Sequence, residues 1–186
     1  MAGKTVGVLA LQGDYERHLR ALESAGAHPV EVRTAAELAA VDALVLPGGE
    51  STTMLKLLHR EGLFEPLAAF GHEKPIFGTC AGAILLATTV TSPEQESLGL
   101  VDIAVQRNAY GRQLDSRVVT LPSALGDLEA VFIRAPIIRA AGPAVNVLAT
   151  YNDDPVLVEQ GRHLVATFHP ELTVDPRVHA YFLTKL

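Results

Sequence analysis

The chain has 186 residues, of which 48% are hydrophobic and 19% are charged, and its formal net charge is −6 at pH 7. This length fits one domain, residues 1–186, and the acidic balance argues against binding of duplex nucleic acid, which requires a clustered cationic face. No apolar run reaches the about 18 residues that span a bilayer, and the N-terminus enters a strand-like stretch without signal-peptide anatomy, so we expect a cytoplasmic protein that does not bind a membrane.

The first half of the chain alternates apolar runs with helix-like stretches. Thr5–Leu11 is a continuous apolar run, which predicts a strand buried on both faces. Gln12-Gly13-Asp14 then offers a turn and an N-cap for a helix from Tyr15 to Ala25. The other predicted elements here are strands at Val30–Val32, Val41–Leu46 and Pro75–Gly78, a helix capped by Glu50 or Ser51, and a helix that ends at Ala87.

The second half is dominated by strand-like segments with little helical periodicity between them. One helix is predicted near the end, from Pro176 to Lys185. The predicted strands are Leu98–Arg107, Gln113–Leu121, Glu129–Arg134, Asn146–Tyr151, Pro155–Gln160 and Arg162–Phe168. Together the two halves predict an α/β fold with an open, mostly parallel sheet flanked by helices and an added antiparallel part.

The single cysteine, Cys80, lies in the motif Gly78-Thr-Cys-Ala-Gly82 between an apolar strand and an Ala-rich helix. This pattern is typical of a nucleophile elbow, in which a strained turn requires small residues two positions before and after the nucleophile. The following helix favours the thiolate form of the sulfur, and the Ala81 N–H would be placed to donate to an oxyanion. A buried, unreactive cysteine is the alternative. One cysteine also excludes an internal disulfide and a cysteine-based zinc site, and we expect no metal.

A cysteine nucleophile needs a base, and His169 is the best candidate among seven histidines. It follows the apolar run Leu164–Phe168, and Pro170 stops the strand there. Glu171 can reach back to the imidazole, which predicts a triad of Cys80, His169 and Glu171. The remaining histidines are interpreted as surface residues: His18, His28, His59, His72, His163 and His179.

A glycine pair, Gly48-Gly49, ends the third predicted strand. In a parallel sheet it should share one crevice with Cys80, and it permits a backbone N–H to face a carbonyl oxygen or a carboxylate. The sequence lacks the phosphate-loop and dinucleotide fingerprints. Arg107, in a polar corner that extends to Gln113, and Arg134 are either solvated surface residues or further candidates, because an arginine near a crevice can pair with a carboxylate.

These segments resemble the class I (triad) glutamine amidotransferases and, more narrowly, the family of glutaminase subunits of pyridoxal 5′-phosphate synthase. The nucleophile and base motifs carry the general resemblance. The narrower one rests on five further segments in the order of that family: Leu9–Gly13, Leu46–Thr53, Arg107–Gln113, Phe132–Pro136 and Phe168–Thr173.

The resemblance implies a flavodoxin-like glutaminase domain that hydrolyses L-glutamine to glutamate and ammonia without a cofactor. Cys80 would attack the side-chain amide, and His169 would protonate the leaving ammonia. The ammonia would pass to a synthase partner subunit that makes pyridoxal 5′-phosphate. The resemblance also places Gln12 near the oxyanion side and the partner interface. Gly49 is the second candidate oxyanion donor, beside Ala81. It assigns glutamine binding to Gly48, Gly49, Glu50, Arg107, Ile133 and Arg134.

Two other functional classes remain open from the sequence. A stand-alone thiol hydrolase or redox-responsive protein would keep the elbow but leave the His169-Pro-Glu171 arrangement without a role. A non-catalytic binding module would use the Gly48-Gly49 turn to hold an amino acid, with Cys80 inert. Selective labelling by a glutamine-analogue electrophile would distinguish an inert thiol from a nucleophile.

Overall fold

The structure is a computed structural model that describes residues 3–109 and 116–186. The described residues form six α-helices and twelve strands. The helices are α1 (Tyr15–Ser24), α2 (Ala35–Ala39), α3 (Ser51–Arg60), α4 (Phe64–Glu73), α5 (Ala81–Leu86) and α6 (Arg177–Leu183). The strands are β1 (Thr5–Leu9), β2 (His28–Val32), β3 (Ala43–Leu46), β4 (Ile76–Thr79), β5 (Ala87–Thr91), β6 (Val101–Gln106), β7 (Arg117–Leu121), β8 (Leu128–Phe132), β9 (Ile137–Ala141), β10 (Asn146–Tyr151), β11 (Asp154–Gln160) and β12 (His163–Ala166).

The main sheet has seven strands in the order β10-β11-β12-β4-β3-β1-β2. The five strands from β12 to β2 run parallel, and β10 and β11 are antiparallel additions at one side. A three-stranded sheet, β5-β6-β9, and a hairpin, β7-β8, complete the strands. This arrangement confirms the predicted mostly parallel sheet with an added antiparallel part.

Helices cover both faces of the main sheet because its central strands are apolar throughout. Along β3, Leu44 and Leu46 belong to one buried cluster, while Ala43 and Val45 belong to another. Successive side chains of a strand point to opposite faces, so the two clusters lie on opposite sides of the sheet. The first cluster includes residues of α2 to α5, and the second includes residues of α1 and α6.

Several element boundaries differ from the sequence predictions. The helix after Cys80 ends at Leu86, because Ala87 already begins β5. The Gln113 start of the predicted strand lies outside the described residues, and the described strand begins at Arg117. Four elements were not predicted: α2, α4, β5 and β9. In the described part of the chain no helix is both long and apolar enough to cross a membrane.

The interpretation of six histidines as surface residues is correct for three and wrong for three. His28, His59 and His72 are exposed. The other three are buried in the described structure, because each receives polar partners from another element: His18, His163 and His179.

Candidate active site

Cys80 occupies a strained turn between β4 and α5. Its backbone has φ 50° and ψ −103°, in a region that side-chain-bearing residues rarely adopt. A Cβ on Gly78 would lie 2.6 Å from the Gly82 carbonyl carbon, and a Cβ on Gly82 would lie 2.2 Å from the Leu46 oxygen. The two glycines are therefore required for the tight approach of α5 to the sheet, as expected for a nucleophile elbow.

The base is brought to this turn by β12, the strand next to β4. The Cys80 N–H donates to the Ala166 carbonyl at 3.0 Å, which ties the elbow to the end of β12. His169 follows three residues later, and its own N–H donates to the Val131 carbonyl at 2.8 Å. A short 3₁₀ helix over Pro170–Leu172 then turns Glu171 back towards the imidazole.

The three side chains lie in one array. His169 Nδ1 lies 2.6 Å from Glu171 Oε1, and the Cys80 side chain is a close neighbour of the same imidazole. Cys80 and His169 are 8% and 7% exposed, whereas the Glu171 side chain is fully buried. The carboxylate thus fixes the orientation of the ring, while Cys80 and His169 both line a cavity.

The charge state of His169 follows from these contacts. Burial lowers the pKa of His169, but the hydrogen bonds with Cys80 and Glu171 and their negative charges outweigh it and raise the pKa from 6.5 to about 10. The imidazole is therefore protonated at neutral pH. An imidazolium beside the sulfur can stabilise negative charge that develops there and can give a proton to a leaving group.

The Gly48-Gly49 turn closes over the triad from the end of β3. A Cβ on Gly48 would lie 2.6 Å from His169 Cε1 and 3.4 Å from Cys80 Cβ, so the backbone packs directly on both side chains. The Gln12 side chain holds this turn from the end of β1. Its amide nitrogen donates to the Gly48 carbonyl at 3.3 Å, and its oxygen accepts from the Glu50 N–H at 3.2 Å.

The two candidate oxyanion donors are the backbone N–H groups of Ala81 and Gly49. Ala81 begins α5, and the first N–H groups of a helix have no partner within the helix. Gly49 has φ 134°, and its Cβ position would overlap the Gln12 amide. The Gly48 carbonyl faces Gln12, so in a trans peptide the Gly49 N–H points the opposite way.

A cavity of about 440 Å³ opens above Cys80. Among the predicted site residues, seven line it: Gly49, Glu50, Cys80, Arg107, Ile133, Arg134 and His169. Five lining residues were not predicted as site residues: Asp14, Ser51, Ile84, Asn108 and Pro136. Gly48, Ala81 and Glu171 do not line the cavity and instead support the side chains that do.

The two candidate arginines reach the cavity wall by different means. The Arg107 guanidinium donates to the Thr52 hydroxyl at 2.7 Å, which anchors it at the start of α3. Arg134 has φ 46°, an unusual value for a residue with a side chain, and follows Ile133 at the end of β8. The rest of the polar corner named in the sequence, Tyr110–Gln113, lies outside the described residues. No group of three or more potential metal ligands occurs among the described side chains.

Comparisons with known proteins bear on this site. Residues 8–186 match the SNO glutamine amidotransferase family. The pyridoxal 5′-phosphate synthase subunit PdxT of Solibacter usitatus is 62% identical, over 98% of this chain and all of the relative. The PdxT of Koribacter versatilis is 54% identical, over 96% of this chain and 93% of the relative.

Solved structures also match almost the whole length of this chain. A crystal structure of a glutamine amidotransferase is 48% identical, covers 97% of both chains and superposes with a TM-score of 0.91. The structure of PurLQS from Thermotoga maritima matches over 98% of both chains with a TM-score of 0.72 at only 20% identity, which shows that the fold is shared.

Proposed function

The chain belongs to the SNO glutamine amidotransferase family, and from this premise we propose that it is the glutaminase subunit of a pyridoxal 5′-phosphate synthase. In this role it hydrolyses L-glutamine to L-glutamate and ammonia. The observation that carries the proposal is the array of Cys80, His169 and Glu171 at the mouth of a cavity, in a chain 62% identical to a named PdxT subunit.

The first half-reaction uses the ion pair of Cys80 and His169. The thiolate attacks the side-chain amide carbon of glutamine, and the carbon–sulfur bond forms as the carbonyl becomes an oxyanion. The N–H groups of Ala81 and Gly49 are the proposed donors to that oxygen. When the carbon–nitrogen bond breaks, His169 gives its proton to the leaving group, and ammonia departs from a γ-glutamyl thioester.

The second half-reaction restores the enzyme. His169, now neutral, takes a proton from water, and the hydroxide attacks the thioester carbon. The carbon–sulfur bond breaks, glutamate leaves, and Cys80 and His169 return to the ion pair. Glu171 accepts from the ring throughout and holds it in the orientation needed for both proton transfers.

Glutamine binding is assigned to the cavity wall. Arg107 and Arg134 supply positive charge there, which suits the α-carboxylate of the substrate. The backbone at Gly48, Gly49, Glu50 and Ile133 completes the binding surface. A stand-alone thiol hydrolase would leave this pair of arginines without a role.

The partner in this proposal is the synthase subunit that receives the ammonia. No cofactor enters the chemistry, since the nucleophile, the base and its orienting carboxylate are all side chains of this chain. A working cysteine thiolate suits the cytoplasm, where thiols are kept reduced. The site contains residues from both halves of the chain, since Gln12 follows β1 and Glu171 follows β12. This supports a single glutaminase domain over residues 1–186.

The decisive experiment measures glutamate and ammonia release with and without the synthase subunit, for the wild type and for Cys80→Ala. We expect turnover that requires the thiol and rises when the partner is added. Because the nucleophile and base act as a unit, the variant should lose several orders of magnitude in kcat.

Folding of the variant is checked by circular dichroism and by co-purification with the synthase subunit. Turnover of Cys80→Ala at the wild-type rate would reject the proposed mechanism. A wild type that releases no ammonia from glutamine in either condition would reject the proposed function.

A further inference from the structure

A second buried histidine lies directly behind the triad. His18 belongs to α1, is completely buried, and places Nε2 3.2 Å from the Thr79 hydroxyl and 3.5 Å from Glu171 Oε2. Thr79 is the residue before the nucleophile. One imidazole therefore faces both the end of β4, which carries the elbow, and the carboxylate that orients the base.

The carboxylate oxygen that His18 faces has no other described partner. Glu171 Oε1 is engaged by His169 at 2.6 Å, whereas Glu171 Oε2 is buried and has no hydrogen-bond partner among the described residues. A buried carboxylate oxygen without a donor is costly, so a nearby N–H group is stabilising even at 3.5 Å.

The protonation pattern of His18 follows from its neighbours. Glu171 only accepts hydrogen bonds, so attraction requires a hydrogen on His18 Nε2. His18 Nδ1 is then bare and accepts from His179 Nε2, which lies 2.9 Å away on α6. His179 Nδ1 is left without a hydrogen, and it is indeed buried without a partner in the described structure.

Both of these histidines are neutral at neutral pH. Burial, followed by the charges of His179 and His169, lowers the pKa of His18 well below 6.5, and burial lowers the pKa of His179 to about 4. A second cation beside Glu171 would compete with His169 for the carboxylate. A neutral N–H donor holds the Glu171 carboxylate in place without weakening the ion pair between this carboxylate and His169.

We propose that His18, held by His179, is a positioning residue of the glutaminase reaction: it fixes Glu171 and Thr79 so that His169 and Cys80 stay aligned. This inference rests on the proposed function for its rate measurements and on geometry alone for the reactivity of the thiol. His18 touches neither the substrate nor the reacting atoms, so it acts through Glu171 and Thr79.

The test compares two substitutions at position 18. His18→Gln keeps an N–H donor at the reach of Nε2, whereas His18→Leu removes it. Loss of the only described N–H group near a buried carboxylate oxygen predicts that His18→Leu lowers kcat on the order of ten- to hundredfold. The KM for glutamine should change by less than about twofold, because no substrate contact is lost. His18→Gln should recover most of the rate.

A matched control is available in His163, a buried histidine at the other end of β12 whose Nδ1 accepts from the Ile76 N–H at 3.1 Å. His163→Asn should lower the melting temperature without lowering the rate of Cys80 alkylation by iodoacetamide. That alkylation rate, followed against pH, needs no partner and no glutamine, and His18→Leu should slow it at neutral pH.

A double-mutant cycle gives the sharpest readout. If His18 acts through Glu171, the His18→Leu change should have little further effect on the alkylation rate in a Glu171→Gln background. Independent, additive losses would overturn the proposal. So would a His18→Leu variant with the wild-type rate and pH profile, or equal slowing by His163→Asn.

The outcomes separate this inference from the proposed function. If the wild type releases no ammonia from glutamine but its thiol reactivity depends on His18 as described, the proposed function fails and the positioning role stands. If glutaminase activity is present and a variant without the donor, His18→Leu or, should that not fold, His18→Ala, leaves both readouts unchanged, the positioning role fails alone.

Discussion

Acid should destabilise this protein in part through His163, and the effect can be worked out from its surroundings. His163 is 6% exposed in β12, and its Nδ1 accepts from the Ile76 N–H. Burial lowers the pKa of His163 from 6.5 to about 4, although its hydrogen bond with the Gly71 backbone opposes the change.

The sign of the effect follows from this lowered pKa. Below pH 6.5 the unfolded chain binds a proton at His163, whereas the folded chain binds that proton only as the pH falls to about 4. The stabilising contribution is therefore fully present above pH 6.5 and is lost as the pH falls through this window. With these two values, the free energy of unfolding should drop by about 2 kcal/mol between pH 7 and pH 5 because of this one residue.

Urea denaturation of the wild type and of His163→Asn, at pH 7 and at pH 5, measures the contribution. Asn keeps an oxygen that can accept from the Ile76 N–H, but it does not titrate. We expect the variant to be less stable at pH 7 and to lose about 2 kcal/mol less than the wild type at pH 5. Equal losses of stability in the two proteins would show that His163 does not contribute to acid destabilisation.

Three further predictions concern the active site. Arg107→Ala and Arg134→Ala should each raise the KM for glutamine by an amount worth about 2–3 kcal/mol, measured in steady-state assays with the synthase subunit. Arg60→Ala, at an exposed position, serves as the control. A wild-type KM in both variants would assign both arginines a structural role. Gly82→Ala should lower the free energy of unfolding by about 1–3 kcal/mol and reduce the rate of Cys80 alkylation, because the added Cβ would lie 2.2 Å from the Leu46 carbonyl oxygen. An unchanged denaturation curve would contradict this prediction. Gln12→Ala should lower kcat by releasing the Gly48 carbonyl. Unchanged kcat in the steady-state assay would show that the Gly48-Gly49 turn keeps its conformation without Gln12.

The catalytic geometry was accessible to sequence reasoning because each part is encoded locally. The spacing of Gly78 and Gly82 around Cys80 reflects the room that a tight strand-to-helix turn needs, and the structure shows the collisions that any larger residue would cause. His169 and Glu171 are two positions apart, so their contact needs only a short 3₁₀ turn. Strand order then brings both motifs together, since β4 and β12 are neighbours.

The parts that escaped prediction depend on contacts between distant segments. His18 and His179 lie 161 positions apart, and only the packing of α1 on α6 turns two apparent surface residues into a buried pair. The helix α4 contains a proline and a glycine, which weaken its signal. The short helix α2 has a capping box formed by Thr34 and Glu37, a local signal that could have revealed it.

The position of β12 has a consequence for synthesis of the chain on the ribosome. This strand follows the other eleven described strands in chain order, yet it pairs with β4 in the interior of the main sheet. Until β12 inserts, Cys80 lacks the neighbouring imidazole of His169. In the proposed mechanism, a ribosome-bound chain that has not yet reached Glu171 therefore cannot consume glutamine.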